Sequence, residues 1–365
     1  MSINHSKKIV IDARMYNSSG IGVYIQNILL GIKDHEVKII VSANFGKTLT
    51  GFNIIPSNIK SYSVKELFLL PFKIPKCDVF WSPHYTVPIF WIRAKKRVVT
   101  VHDVYHVTAI SELSFLKKLY ARFLIQWALW VSDKVITVSD FSKSEILKYF
   151  RCTATKIEVI KNGVKAVGVI KEWVYLQDAY KLPSRYLLFV GNVKPHKNIR
   201  GLLEAYLRLD DWHRKHYKVV IVGVKQGFIT GDLRLFDWID SHPKLKSDVV
   251  FTGYVHDDDM DSIYHYASLF VFPSLYEGFG LPPLEAMLNK CPVIASDAAS
   301  IKEVCKDGAL YFNPNSFHEI SVLIAQLLDS DVQRKSLIES GIRVAKSYSW
   351  ASSIGAHVRL FNEKL

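Results

Sequence analysis

The second half of this 365-residue chain is built from short, unbroken apolar runs separated by amphipathic stretches. The runs are YLLFVGN (186–192), YKVVIVG (217–223), DVVFTGY (248–254), SLFVFPS (268–274), PVIASD (292–297) and ALYFNP (309–314). A strand with one wet face alternates apolar and polar residues, so a run apolar throughout predicts burial on both faces. Helices between such strands imply right-handed βαβ crossovers and a parallel sheet. Several runs end in Gly, Asn or Ser and lead into a helix, which places a ligand crevice beyond the strands' C-terminal ends. The first half repeats the plan with KIVIDAR (8–14), VKIIVSAN (37–44), DVFWSP (78–83), RVVTVHD (97–103), KVITVSD (134–140) and IEVIKNG (157–163). The predicted class is α/β, with two Rossmann-like, doubly wound domains facing each other across a cleft.

Between the halves, residues 164–184 show no clean periodicity and include Pro183, so they read as the connection. Ser142 and Glu145 form a capping box that predicts a helix after the fifth strand, and the chain is helical again from about Val344. Hydrophobic residues make up 49% and charged residues 22%, which excludes disorder. The apolar run Ile9–Ile11 is too short for a secretory signal, and FLIQWALWV (123–131) has half the roughly 20 residues of a membrane span. The expectation is a cytoplasmic protein. Cys77, Cys152, Cys291 and Cys305 lack metal-ligand spacing and read as reduced thiols.

Charge is one-sided. Residues 1–165 carry 24 Lys and Arg against 11 Asp and Glu, whereas residues 166–365 carry 23 of each. The whole net charge of +13 thus lies in the first half, where it favours an anionic partner or simply gives a basic surface. The basic residues are dispersed and form no nucleic-acid module, so no nucleic-acid partner is expected.

Several segments could carry chemistry. NSSGIGVY (17–24) follows the first strand; Gly20 and Gly22 suit either a close ligand or an ordinary strand-to-helix turn. GNVKPHKN (191–198) puts Lys194, His196 and Lys197 at the edge of a buried strand, which favours a diphosphate. His102 ends an apolar strand and points towards the predicted cleft, with Asp103 beside it to orient the ring or cap the next helix. DDDM (257–260) sits where carboxylates cap a helix, so it predicts no metal. Helix 111–130 mixes Lys117, Lys118 and Arg122 with Phe115, Trp127 and Trp130, which fits a buried crossover helix or an interfacial one. YEGFGLPPLEA (276–286) spaces Glu277 and Glu285 eight apart, either an acid/base pair or two grips on one ligand.

Taken together, FVFPS with EGFGLPPLEA, FVGNVKPHKN, VTVHDV, ITVSDFSKSE, VIKNGV and FTGYVHDDDMDSIYHYA resemble the motifs of the retaining family 4 glycosyltransferases, in their order, from about Ile9 to Trp350. That resemblance implies a GT-B fold and a mannosyltransferase-like enzyme of cell-surface polysaccharide or lipopolysaccharide synthesis. Residues 1–165 would form the acceptor side and 166–345 the nucleotide-sugar domain, with a helix in 346–365 packing back on the first. It implies that Lys197 neutralises the donor diphosphate, that Glu277 holds the donor sugar, and that Glu285 takes the ribose hydroxyls. His102 would lie against the donor sugar, and Gly20 and Gly22 would let the loop close over the diphosphate. The other donor-side positions are Gly191, Asn192, Lys194, Tyr254, Val255, Gly278, Phe279, Gly280 and Leu281, the last four through backbone N–H groups. Where many relatives carry an arginine, this chain has Asn192 and His196. The segments 191–198, 223–227, 254–256 and 274–281 would set donor choice, with GDP-mannose favoured over UDP- and dTDP-sugars. The acceptor would be a glycan, in particular one on a polyprenyl diphosphate, with a peripheral contact at an anionic inner membrane face; the alternative is a soluble sugar phosphate. Neither cofactor nor metal is expected.

Overall fold

The computed structural model describes residues 7–32, 35–42, 49, 51–223 and 233–363. Ala43 and Asn44 of the predicted second strand, residues 224–227 of the predicted donor-choice segment, and residues 364–365 lie outside them. The chain divides into two compact units, Met1–Gly163 with Ser349–Leu365, and Val164–Tyr348.

Unit 1 holds seven parallel strands: β1 (Lys8–Asp12), β2 (Glu36–Val41), β3 (Asn53–Pro56), β4 (Cys77–Ser82), β5 (Ala94–Thr100), β6 (Lys134–Thr137) and β7 (Ile157–Val159). Their order is β3-β2-β1-β4-β5-β6-β7. The sequence pattern predicts six of them and misses β3. This strand lies at the sheet edge, ends in proline, which an edge tolerates, and has none of the buried positions found in each of the other six, so it carries no apolar signal to read. Unit 2 contains the six predicted strands: β8 (Tyr186–Val190), β9 (Lys218–Val222), β10 (Val249–Gly253), β11 (Leu269–Phe272), β12 (Val293–Ser296) and β13 (Leu310–Phe312). They run parallel in the order β10-β9-β8-β11-β12-β13. In each sheet the direction of strand addition reverses once, between β1 and β4 and between β8 and β11. These reversals are where a doubly wound sheet opens a crevice at its C-terminal edge.

Three local expectations are corrected. The stretch 164–184 is not a bare connection, because it contains the helix Trp173–Tyr180, which ends at Lys181 in the left-handed region. Only Leu176 of that helix is buried, so it leaves no apolar stripe to read. The helix Asp140–Tyr149 is capped by Ser139, whose Oγ accepts the Ser142 N–H at 3.0 Å; Ser142 is inside the helix, and Glu145 pairs with Lys148 instead. The C-terminal region is two helices, Asp331–Lys346 and Trp350–Asn362, broken at 347–349.

The helix Trp350–Asn362 belongs to unit 1, where Leu360 and Phe361 join the core with Ile9, Ile11, Tyr24 and Trp81. Its fit is close: a Cβ on Gly31 would lie 2.3 Å from Ile354 Cγ2, and one on Gly163 would lie 2.0 Å from Trp350 N. Lys96, itself buried, donates to the Leu360 carbonyl at 2.5 Å and so caps the helix C-terminus. The helix Phe115–Val131 buries Ala121, Leu124, Ile125, Ala128 and Leu129 and leaves Phe115, Leu116, Leu119, Phe123 and Trp130 exposed. Among the described residues, no helix is long and apolar enough to cross a membrane. The four cysteines are free thiols, three of them buried.

Candidate functional site

In unit 2 the loops that follow β8 and β11 flank the strand reversal, and they carry the two segments singled out in the sequence. After β8 the chain makes a tight turn, Pro195–Lys197, and Asn198 takes left-handed angles (φ 54°, ψ 38°) to start the helix Ile199–Leu207. Asn198 Nδ2 donates to the carbonyls of Pro273 and Pro314 at 3.1 and 2.9 Å, and the Leu275 N–H donates to the His196 carbonyl at 2.7 Å. These bonds stitch the two loops together. Lys197 Nζ then meets Glu277 Oε1 at 2.6 Å, with both side chains largely buried. Lys194 is half-buried at the N-cap of the turn; Asn192 is half-buried and Val193 buried. Gly191 brings its carbonyl within 2.1 Å of where a Cβ on Gly223 would stand. Tyr254 is exposed and Val255 buried.

Gly280, at φ 99°, turns the chain into the helix Leu281–Leu288, whose first turn holds Pro282 and Pro283. The fully buried Ser300 Oγ lies 2.9 Å from the Glu277 carbonyl and 3.1 Å from that of Phe279. In a trans peptide the N–H opposes the C=O, so with both carbonyls held at Ser300 the Gly278 and Gly280 amides face away from it. The Phe279 ring packs against Tyr348 at 5.6 Å and is buried, which leaves its backbone for any ligand contact. One helical turn on, Glu285 Oε2 accepts the Tyr264 hydroxyl at 2.9 Å. Burial pushes the Glu285 carboxyl above the usual range, helped by Asp261 and Asp257 and opposed by the Tyr264 bond. Burial and Glu285 hold the Tyr264 hydroxyl protonated, so it is the donor.

In unit 1, His102 follows β5. Its Nε2 lies 3.0 Å from the Pro83 carbonyl, which can only accept, so Nε2 carries the hydrogen and Nδ1 presents a lone pair. Burial lowers the ring's pKa and keeps it neutral at pH 7. Tyr24 meets the ring edge to face at 4.8 Å, and Ser142 Oγ donates to the His102 carbonyl at 2.9 Å. Asp103 caps the turn Tyr105–Val107 by accepting the Tyr105 N–H at 2.9 Å. Gly20 and Gly22 fall in the first turn of the helix Ser19–Gly31. Space is open at Gly20, but a Cβ on Gly22 would lie 2.5 Å from the Tyr16 carbonyl oxygen. A side chain at Gly22 is therefore excluded by its own chain.

Two carboxylate clusters could suggest a metal. Asp12, Glu66 and His84 lie within 4.8 Å of one another, all buried. Their acceptor positions are already used: Arg14 bridges Asp12 (2.5 Å) and Glu66, His84 Nε2 reaches Asp12 at 3.1 Å, and Glu66 also takes the Thr86 hydroxyl and the Tyr62 N–H. The run Asp257–Asp259 forms the first turn of the helix Asp257–Tyr266, and Asp259 accepts the hydroxyls of Tyr175 and Tyr180. The first cluster and Asp259 are thus held by bonds within the chain.

Sequence reading missed Asn198, Tyr264, Ser300 and Tyr24. Asn198 alone had a local signal, an Asn directly before a helix; the others act from elements remote in sequence.

Two family profiles match: Glycosyltransferase Family 4 over residues 18–166 and Glycosyl transferases group 1 over 178–344. The chain is 33% identical over 276 residues to the O-antigen chain mannosyltransferase B of Escherichia coli, covering 74% of this chain and 71% of that protein. It is 32% identical to the O-antigen chain mannosyltransferase RfbU of Salmonella typhimurium, covering 64% of this chain and 60% of that one. Its fold is similar to that of HepE of Anabaena in complex with UDP-glucose, with a TM-score of 0.75, 16% identity, and 97% and 99% of the two chains covered.

Proposed function

Because the chain belongs to the group 1, family 4 glycosyltransferases and is a glycosyltransferase, we propose that it moves a hexose, with retention, from a nucleotide diphosphate donor to a cell-surface glycan precursor. The observation that carries this reading is the Lys197–Glu277 pair at the β8/β11 reversal. An ammonium has three N–H donors, so Lys197 can keep Glu277 and still bind phosphate oxygens. As the glycosyl–phosphate bond breaks, negative charge grows on the diphosphate and positive charge on the sugar. Lys197 and the amides of the 278–281 turn stabilise the former more in the transition state than in the ground state. Glu277 then faces the sugar, and Glu285 takes the ribose hydroxyls. His102, neutral with a lone pair on Nδ1, accepts a sugar hydroxyl and cannot serve as an acid.

Retention follows if the acceptor oxygen attacks the face that the diphosphate leaves. The bond from the anomeric carbon to the phosphate oxygen breaks, the bond to the acceptor oxygen forms, and the departing phosphate oxygen takes the acceptor's proton. GDP-mannose is the favoured donor, supported by the two mannosyltransferase relatives. A lipid-linked acceptor at an anionic membrane face is supported by the exposed Phe115, Leu116, Leu119 and Phe123 beside Lys117 and Lys118 in unit 1. The test is calorimetric titration with GDP, UDP, ADP and dTDP, and anomeric analysis of the product. GDP binding that is lost in Lys197→Ala, with an α-linked product from an α-linked donor, is expected. Failure of all four nucleotides to bind, or an inverted product, overturns the reading.

A further inference from the structure

Unit 1 contains a cavity of about 1040 Å³ beyond the end of β3, lined by the loop 56–60 and by Ser63, Lys65, Leu69, Phe72 and Lys73. Three lysines face it, Lys60, Lys65 and Lys73, all exposed and none ion-paired among the described residues. The carboxylate closest in sequence, Glu66, is buried and already held by Arg14. The loop that carries Lys60 is fixed from below: Arg14 donates to the Ile59 carbonyl at 3.0 Å and the Tyr62 N–H donates to Glu66 at 2.6 Å. The buried Asp12–Arg14–Glu66 network thus frames the floor under this group of cations.

The other wall is apolar and wet. Leu69 and Phe72 line the cavity, and Phe72 is 82% exposed. Val64, Phe68 and Phe72 recur every four residues on the outer side of this segment, while Leu67, Leu70 and Ile74 are buried. Phe68 packs on Phe90 at 5.6 Å beside Trp91, itself 78% exposed, and the Ile89 N–H donates to the Leu67 carbonyl, so segment 89–91 extends the same apolar rim. Uncompensated cations in a concave floor suit a multiply charged anion, and the adjoining rim suits a chain attached to it. A nucleotide or soluble sugar phosphate would leave the rim in water. A flat lipid surface would meet the rim but not the floor.

We infer that this cavity binds the diphosphate head and the first part of the apolar chain of a lipid-linked acceptor. The inference rests on the glycosyltransferase reading above and names the part of the acceptor that unit 1 recognises. The test uses the full chain with farnesyl diphosphate, inorganic pyrophosphate and phosphatidylglycerol vesicles as probes, read by calorimetry and Trp fluorescence. Farnesyl diphosphate should bind at least tenfold more tightly than pyrophosphate. It should lose at least tenfold in the triple variant Lys60→Ala, Lys65→Ala, Lys73→Ala and recover with arginine at the three positions. Phe72→Ser should weaken farnesyl diphosphate and not pyrophosphate. Lys197→Ala, which disables the cation of unit 2, should leave farnesyl diphosphate binding intact. Equal binding of pyrophosphate, a triple variant that binds like the parent, or attraction to vesicles alone would overturn the inference. A nucleotide titration on the same samples separates the two levels: nucleotide bound with farnesyl diphosphate unbound refutes this site only, and loss of both refutes the enzyme reading as well.

Discussion

Replacing Glu285 by Gln separates what this carboxylate does to the empty fold from what it does for a ligand. Burial, with Asp261 and Asp257 nearby, raises its pKa above the unfolded value near 4.5. A group shifted in that direction favours folding below the unfolded value and loses the contribution as pH rises through the folded one. At pH 7, above the unfolded value, the Glu285 carboxyl therefore works against the fold. Gln keeps the length and an oxygen for the Tyr264 hydroxyl, and removes the charge. Glu285→Gln should melt higher than the parent at pH 7 and match it at pH 4. Each kcal/mol recovered moves the midpoint by about 2–4 °C in a unit of this length. Nucleotide binding should move the other way. A hydrogen bond to a carboxylate contributes about 1.5–3 kcal/mol and one to a neutral amide roughly half that. With two ribose hydroxyls the difference is about 1.5–3 kcal/mol, or roughly a 10–150-fold weaker Kd. Tyr264→Phe is the companion variant; it leaves Oε2 without its donor and should lower the pH 7 melt by about 1–3 kcal/mol. Scanning fluorimetry at both pH values and calorimetry with nucleotide read all of this. A Gln variant that melts lower at pH 7, or binds nucleotide like the parent, refutes the reasoning.

Lys197→Ala should lower both the melt and nucleotide affinity, the former by about 1–3 kcal/mol because it strands the Glu277 carboxylate; adding Glu277→Ala should restore the melt and not the binding, as calorimetry and melting curves will show. Ser300→Ala releases the carbonyls of Glu277 and Phe279, so steady-state kinetics should show kcat falling more than nucleotide affinity. His357, buried against the Tyr24 hydroxyl at 2.6 Å, has its pKa lowered by burial to about 4 from 6.5. A base shifted down stabilises the fold above its unfolded pKa, so stability should fall by about 3 kcal/mol as pH drops from 6.5 to 4. Denaturant titrations across that window should show the fall in the parent and a shallower one in His357→Gln.

What could be read in the sequence follows from how each residue is held. The central strands of unit 2, β8, β9, β11 and β12, were legible because burial on two faces demands unbroken apolar runs. β3 has one neighbouring strand and a mixed pattern, so it looked like loop. Lys197 and Glu277 were recognisable as residues at strand ends, but their contact joins positions 80 apart through bonds made by Asn198 and Leu275. Ser139 and Ser142 are three residues apart, and the glutamate after Ser142 favoured the wrong one as cap. The sequence cannot show that Tyr16 folds back over Gly22, so the chain's own need for glycine there was not legible. Ser300 and Tyr264 lie on other elements and carry no local mark at all.

The placement of Trp350–Asn362 within unit 1 makes unit 2 an insertion in a unit whose last piece is translated after it. While the ribosome is still making the second sheet, the first lacks the helix that covers Tyr24 and Trp81, and Lys96 lacks the carbonyl it caps. Unit 1 therefore completes its core only after synthesis has passed through unit 2, and a nascent chain stopped near residue 348 should carry one finished unit and one open sheet. A chimera that exchanges unit 1 between relatives must accordingly move two separate stretches of sequence together, because a single cut between Gly163 and Val164 would leave the donated unit without its closing helix.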